Sequence, residues 1–289
     1  MLTDDPTTTY KWSGSLLDLN CCHCCPYDNG LSKDLIAEAS SDTGLHTLSP
    51  WDAPPGEIIG RSFSGTPTHE PELFTHWALG DSLSDFNSSK RQSIVRAFFT
   101  LIPRIASCES AMQCGKTPVA ILGDYGDDGN LRAVLIARHL DKPPSECREV
   151  CAFCGVCCCT GTAGFEACCA ISCAPGASSI VKKFKVVDTA MKRMHKTYAP
   201  QEHLYIYVMA VLPDRQGEGA CSRLMRTASR YADKHGIPAY LETSGERNPK
   251  IYGRFGYAIS ERTTLVIPSK PEDAFNEFHA MVRQPGSLS

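Results

Sequence analysis

The sequence predicts a mixed α/β domain in which helices flank a sheet, and three observations carry that expectation. Residues 203–211 (HLYIYVMAV) form an unbroken apolar and aromatic run, the pattern of a strand buried on both faces. A glycine-containing loop then leads into a helical pattern over 219–235, with Gly236 as its C-cap, and a second strand follows over 238–243. Far upstream, two β-type runs at 118–125 and 131–140 flank Gly126-Asp127-Asp128-Gly129-Asn130, turn chemistry that predicts a hairpin.

The totals bound the class of protein. The chain has 289 residues, of which 42% are hydrophobic and 21% charged, enough to build a substantial core. A net charge of −3 gives no general attraction to nucleic acid or an anionic membrane, so neither is expected as a partner. No run approaches the ~18–20 apolar residues of a membrane span. The start, Met1-Leu2-Thr3-Asp4-Asp5, lacks the basic and apolar regions of a signal peptide. A cytoplasmic location is therefore expected, with the nucleus also open, and the 16 cysteines are expected to be reduced.

Residues 1–65 are rich in Thr, Ser, Asp, Pro and Gly and predict a flexible, cysteine-containing extension, with the folded domain spanning 66–289. Trp77 and Leu79 suggest a short helix or turn. Ile94, Val95, Phe98, Phe99, Leu101 and Ile102 recur at helical spacing after the cap residues Asn87-Ser88-Ser89, and Pro103 ends or kinks that helix. Pro143-Pro144 closes this half. A cysteine-rich stretch covers 145–179, and 180–195 reads as a basic amphipathic helix. Near the end, 248–255 predicts a short helix stopped by Gly256, a strand starts at Tyr257, and 278–283 supplies a last one.

The segment Val211-Leu212-Pro213-Asp214-Arg215-Gln216-Gly217-Glu218-Gly219-Ala220 lies between a buried strand and a helix. There glycines permit close backbone approach, and unpaired N–H groups at the helix start face an anion such as a pyrophosphate. No Gly-Lys-Ser/Thr follows, which excludes a Walker loop, and the Gly-x-Gly-x-x-Gly spacing of dinucleotide sites is absent. The segment resembles the acetyl-CoA loop of GNAT acetyltransferases, Gln/Arg-x-x-Gly-x-Gly/Ala, here Gln216-Gly217-Glu218-Gly219-Ala220-Cys221. Cys221 departs from the usual Gly or Ala and is expected to narrow the cradle. The family's second motif, Asn…Tyr-x-x-x-Gly-Phe/Tyr, is matched by Asn248, Tyr252, Gly256 and Tyr257. The resemblance covers 199–289 well and the hairpin at 118–140 more loosely.

The resemblance implies a mostly antiparallel sheet whose central strands, 204–211 and 238–243, splay apart. Acetyl-CoA would be the cosubstrate, with its pantetheine arm pairing along Met209, Ala210 and Val211 and its phosphates on Arg215, Gln216, Gly217, Glu218, Gly219, Ala220 and Cys221. Asn248, Tyr252 and Arg254 complete the expected cofactor set. The acceptor would be an amine on a small molecule or peptide, attacking the thioester directly. Tyr252 is the expected proton donor to the leaving thiolate, with an aromatic core role as the alternative reading. His203 and Glu242, at opposite edges of the splayed strands, are the candidate bases. Arg223, Arg226 and Arg230 fall on one helical face and read as wet surface.

Nine of the cysteines lie in 147–173 and four in 21–25. Cys147, Cys151 and Cys154 match the Cys-x3-Cys-x-aromatic-Cys spacing of radical-SAM enzymes, but too little chain follows before residue 199 for the barrel those enzymes need. Cys147, Cys151, Cys154 and Cys158 also fall on one helical face, where cysteine packs as a small hydrophobe. That reading is adopted, and no metal site is expected. The competing view is a cysteine-rich metal-binding or redox-sensing protein on a GNAT-like scaffold without catalysis. The acceptor, the acyl length and the oligomeric state are open at this level.

Overall fold

Seven strands form one sheet: β1 (Leu45–Thr47), β2 (Val119–Tyr125), β3 (Leu131–Leu140), β4 (His203–Val211), β5 (Ala239–Ser244), β6 (Tyr257–Ile267) and β7 (Lys270–Arg283). Their order is β1-β2-β3-β4-β5-β7-β6. The computed structural model describes residues 30–39, 44–64, 73–80, 83, 85, 88–112, 118–141 and 176–287. The cysteine groups at 21–25 and 147–173, with every reading attached to them, lie outside the described residues.

Each neighbouring pair is antiparallel except β4 and β5, which run parallel and are in register only at Leu204 with Ala239 and Tyr205 with Tyr240. Beyond that point β4 stays with β3 while β5 follows β7. The two central strands therefore splay, as the family resemblance implies. A bulge sharpens the divergence: Ile136 faces Val208 and Ala137 faces Ile206, so Tyr207 is the extra residue. Its effect on side-chain direction is visible in the core. Leu204 and Ile206 point to one face with Met209 and Val211, whereas Tyr207, Val208 and Ala210 pack on the other.

Helices cover both faces. The long helix after β4, Ala220–His235, packs with Gly30–Ala37 and Arg247–Gly253 on the first face, around Leu204, Ile206, Leu224, Ala228 and Leu241. The opposite face is covered by Ala53–Ser64, Leu73–Leu79, Ser89–Thr100, Ile102–Met112 and Ala177–Tyr198. In chain order these helices are α1 (Gly30–Ala37), α2 (Ala53–Ser64), α3 (Leu73–Leu79), α4 (Ser89–Thr100), α5 (Ile102–Met112), α6 (Ala177–Tyr198), α7 (Ala220–His235) and α8 (Arg247–Gly253). Pro103 sits in the first turn of α5, where its missing N–H is harmless, and a one-residue break at Leu101 separates α5 from α4.

The expected flexible extension over 1–65 differs in its second half. Leu31 and Leu35 of α1 are fully buried against α7 and the sheet, β1 pairs with β2, and α2 places Ile58 and Ile59 in the core. Gly and Pro, read as signs of mobility, do packing work here. A Cβ on Gly56 would meet the Thr100 carbonyl oxygen at 2.6 Å, so glycine is what lets α2 lie directly on α4. Pro54 and Pro55 stand in the first turn of α2, where proline is tolerated. The folded part thus includes residues on the N-terminal side of the expected boundary at 66. The last strand also differs: β7 starts at Lys270 and forms a long hairpin with β6.

Candidate active site at the splayed strands

Past Tyr205, the edge of β4 that faces β5 has no strand partner. The strand ends at Val211, whose carbonyl accepts from Ser62 Oγ at 2.9 Å, and a 3-10 turn over Pro213–Arg215 leads into the glycine loop. Gly217 (φ 93°) and Gly219 (φ 82°) hold left-handed conformations, and Gly219 is the N-cap of α7 with no side-chain cap. Among the described residues, no protein oxygen accepts from the N–H groups of 216–222. Seven successive amide donors at the positive end of a 16-residue helix form an anion site in chemistry. These residues fit the pyrophosphate of a CoA thioester, and the unpaired edge of β4 leading to them suits an amide-bearing arm.

The charged side chains around this loop alternate. Asp124, fully buried on β2, receives Arg132 Nε at 2.5 Å and a two-point contact from Arg223 of α7, Nε at 2.6 Å and Nη2 at 3.1 Å. Arg132 Nη1 also donates to Glu218 Oε2 at 2.9 Å. Arg215 contacts Glu218 at 3.5 Å and binds Asp128 of the β2–β3 turn. Arg223 is therefore no wet surface residue, because it pins the start of α7 to the sheet. Arg230 donates to the Glu38 carbonyl oxygen at 3.3 Å, while Arg226 is exposed. Gln216 accepts from Arg247 at 3.3 Å.

The remaining expected residues are placed as follows. Met209 and Val211 of β4 lean on the α7 face and Ala210 on the other. Ala220 is buried in the first turn of α7. Beside it, Cys221 is half-buried, and burial pushes its thiol up to about 11, so it stays protonated. Asn248 Nδ2 donates to the Ser244 carbonyl at 3.0 Å, tying α8 to the end of β5. Tyr252, half-buried on α8, packs against the sheet cluster and stands edge-on to Tyr257 at 6.2 Å. Arg254 is exposed at the C-cap of α8.

The two candidate bases are in different settings. Glu242 lies on β5 two residues past Tyr240, at the mouth of the splay. Its Oε2 accepts from Tyr205 Oη at 2.8 Å, whereas Oε1 is buried and unpaired. Burial pushes the carboxyl up to about 7, against the opposing pull of the Tyr205 and Tyr240 hydroxyls. Tyr240 Oη lies close enough to favour the carboxylate but makes no hydrogen bond of ordinary geometry. His203 sits at the closed end instead, fully buried, just before the paired residues Leu204 and Ala239. Its Nδ1–H donates to the Gln201 carbonyl at 2.6 Å, which leaves Nε2 to accept from His195 Nε2–H at 2.7 Å. Burial holds both imidazoles neutral, with His195 driven down to about 3. Both ring nitrogens of His203 are thus engaged.

Sequence reasoning missed Tyr205, Tyr240, His195 and the acid–arginine chain. A period-two reading would have found part of this, since 203, 205 and 207 alternate on one strand and 240 and 242 on the next. His195 carried no such signal, because it reaches the site from α6.

Residues 185–257 match the model of the acetyltransferase (GNAT) family. Among solved structures, the chain is similar to arylalkylamine N-acetyltransferase 2 from Aedes aegypti (12% identity, 86% of this chain and 100% of that one, TM-score 0.50). It is also similar to a histone acetyltransferase HPA2 and related acetyltransferase from Corynebacterium glutamicum (17%, 84% and 96%, TM-score 0.45). A third similar structure is the Drosophila melanogaster polyamine N-acetyltransferase (13%, 83% and 98%, TM-score 0.44). At 12% identity and a TM-score of 0.50, the likeness to the Aedes structure speaks to the fold alone.

Proposed function

We propose, from the match of residues 185–257 to the acetyltransferase (GNAT) family model and from the geometry of the site, that the chain transfers an acetyl or other short acyl group from acyl-CoA to the amine of a small molecule or peptide. The observation that carries this reading is the row of seven unpaired N–H groups at 216–222, reached along the unpartnered half of β4. When bound, the thioester supplies an activated acyl carbon. Gly217, Gly219 and the first turn of α7 hold the pyrophosphate, and Met209, Ala210 and Val211 line the arm.

The amine nitrogen bonds to the acyl carbon, the carbon–sulfur bond breaks, and one proton leaves the nitrogen while another reaches the sulfur. Glu242 takes the amine's proton on Oε1, the oxygen with no partner of its own. A carboxyl whose affinity for protons is balanced near neutral pH suits that task. Tyr205 orients the carboxylate through its hydroxyl. Tyr252 gives the departing thiolate its proton. His203, spent on Gln201 and His195, supports the closed end of the splay and is not retained as the base.

A ligand bound only by the folded state raises stability by mass action, by about 2.7 kcal/mol at a hundredfold excess over its dissociation constant. Acetyl-CoA should therefore raise the Tm of the wild-type chain. Gly219→Val should abolish the shift, because a β-branched residue at φ 82° is strained and its side chain meets Arg223 at the cradle. Release of free thiol with a panel of amines then identifies the acceptor. No thermal shift at millimolar acetyl-CoA, for folded wild-type protein, sinks the reading.

A further inference from the structure

Three of the guanidinium groups around the glycine loop, Arg132, Arg215 and Arg223, are joined to carboxylates in the chain Asp128–Arg215–Glu218–Arg132–Asp124–Arg223, while Arg61 reaches Asp214 and Arg247 donates to the neutral Gln216. The three acids are not alike. Asp124 is fully buried and grips two arginines. Glu218 belongs to the loop itself. Asp128 comes from the tip of the β2–β3 turn, is 38% exposed, and binds one guanidinium only, that of Arg215. Arg215 in turn stands immediately before the seven unpaired amides.

An anion arriving at those amides meets an arginine that is already taken. We propose that Asp128 is an internal counter-ion, holding Arg215 in the ligand-free protein and displaced from it by a phosphate group of the CoA thioester. The exchange swaps one partly exposed ion pair for another, which is close to neutral, because such pairs contribute little in water. The helix amides behind the phosphate then decide the direction. Held this way, Arg215 is positioned before the ligand arrives, and Asp128 sets how tightly the cofactor binds. The rest of the turn keeps its shape without the pair, since Asp128 Oδ1 accepts from the Asn130 N–H at 3.0 Å and an asparagine oxygen can do the same.

This inference rests on the CoA-binding reading above, and the experiment separates the two. Dissociation constants for CoA are measured by calorimetry at low and high salt for the wild type, Asp128→Asn, Asp127→Asn and Arg215→Gln, and for the Asp128→Asn, Arg215→Gln double variant. Asp128→Asn is expected to bind CoA about 2- to 5-fold more tightly at low salt, with the gain shrinking as salt screens the freed arginine. Asp127→Asn makes the same charge change one residue away without freeing Arg215, and should gain much less. In the Arg215→Gln background, the Asp128 substitution should gain nothing. Unchanged or weaker binding by Asp128→Asn, an equal gain from Asp127→Asn, or a gain that survives without Arg215 overturns the counter-ion. A folded wild-type chain that binds no CoA takes down both readings, whereas wild-type binding with no effect at Asp128 removes this one alone.

Discussion

Glu242 shows how one side chain can be tuned by what it lacks. Oε2 has Tyr205 and Oε1 has no hydrogen bond of ordinary geometry, so burial outweighs the opposing pull of the Tyr205 and Tyr240 hydroxyls and pushes the carboxyl up to about 7. A base must be ionised, so kcat/KM should rise with pH through about 7 and then level off. Stability should move the opposite way, falling as pH rises from the ordinary carboxyl range toward 7, because the unfolded chain ionises first. Glu242→Gln should remove both dependences and lower turnover about 10²–10⁴-fold, with little change in acetyl-CoA affinity. A pH–rate profile of the variant that keeps its rising limb would assign the base elsewhere. In sequence, Glu242 was readable as an acid at the end of a strand, and Tyr252 by its motif. Tyr205 and Tyr240 looked like ordinary apolar strand residues, because nothing local says that they pair across the parallel junction of β4 and β5.

At the scale of elements, periodicity did well where burial is one-sided or complete. The strand at 203–211, the hairpin at 118–140 and helix α7 with its Gly236 cap all fall within a residue or two of the expected bounds. It did poorly for α1, β1 and α2, which are short and carry Gly, Pro and Ser at positions set by neighbours. Gly56 is the instructive one. A methyl group there would press on Thr100 O at 2.6 Å and Thr100 Cα at 2.8 Å, both backbone atoms of α4. Relief requires the two helices to part, and overpacking of this kind costs about 1–3 kcal/mol. Gly56→Ala should therefore lower the Tm measurably, although alanine has the better helix propensity. A Tm at or above that of the wild type would mean that α2 is free to shift. No pattern within 53–64 reveals the requirement, since the contact is made with a residue 44 positions away.

At the scale of the whole molecule, the buried His195–His203 pair ties α6 to the closed end of the splay. Both rings are neutral when folded and are depressed below their ordinary value near 6.5. In the unfolded chain they take up protons below about 6.5. The pair's stabilising contribution is thus full above that value and lost progressively as pH falls, over a window that for His195 reaches down to about 3. Urea titrations at stepped pH should show stability declining with acid, and His195→Gln should flatten the decline between pH 6.5 and 5 while weakening the protein at neutral pH. An identical acid slope in the variant would shift the effect to the carboxylates. Neither histidine's partner was legible in the sequence, since eight residues and a change of element separate them.

The divergence of β4 from β5 has a further consequence for how the backbone breathes. Strand amides paired on both sides exchange their hydrogens for deuterium only through larger openings, but those on an unpartnered interior edge exchange through small ones. Mass spectrometry of ligand-free protein should therefore find the far half of β4 and the loop after it exchanging well ahead of β3, despite their place at the centre of the sheet. Saturating acetyl-CoA should slow both segments together, leaving a footprint that runs from Met209 to the first turn of α7 and stops there.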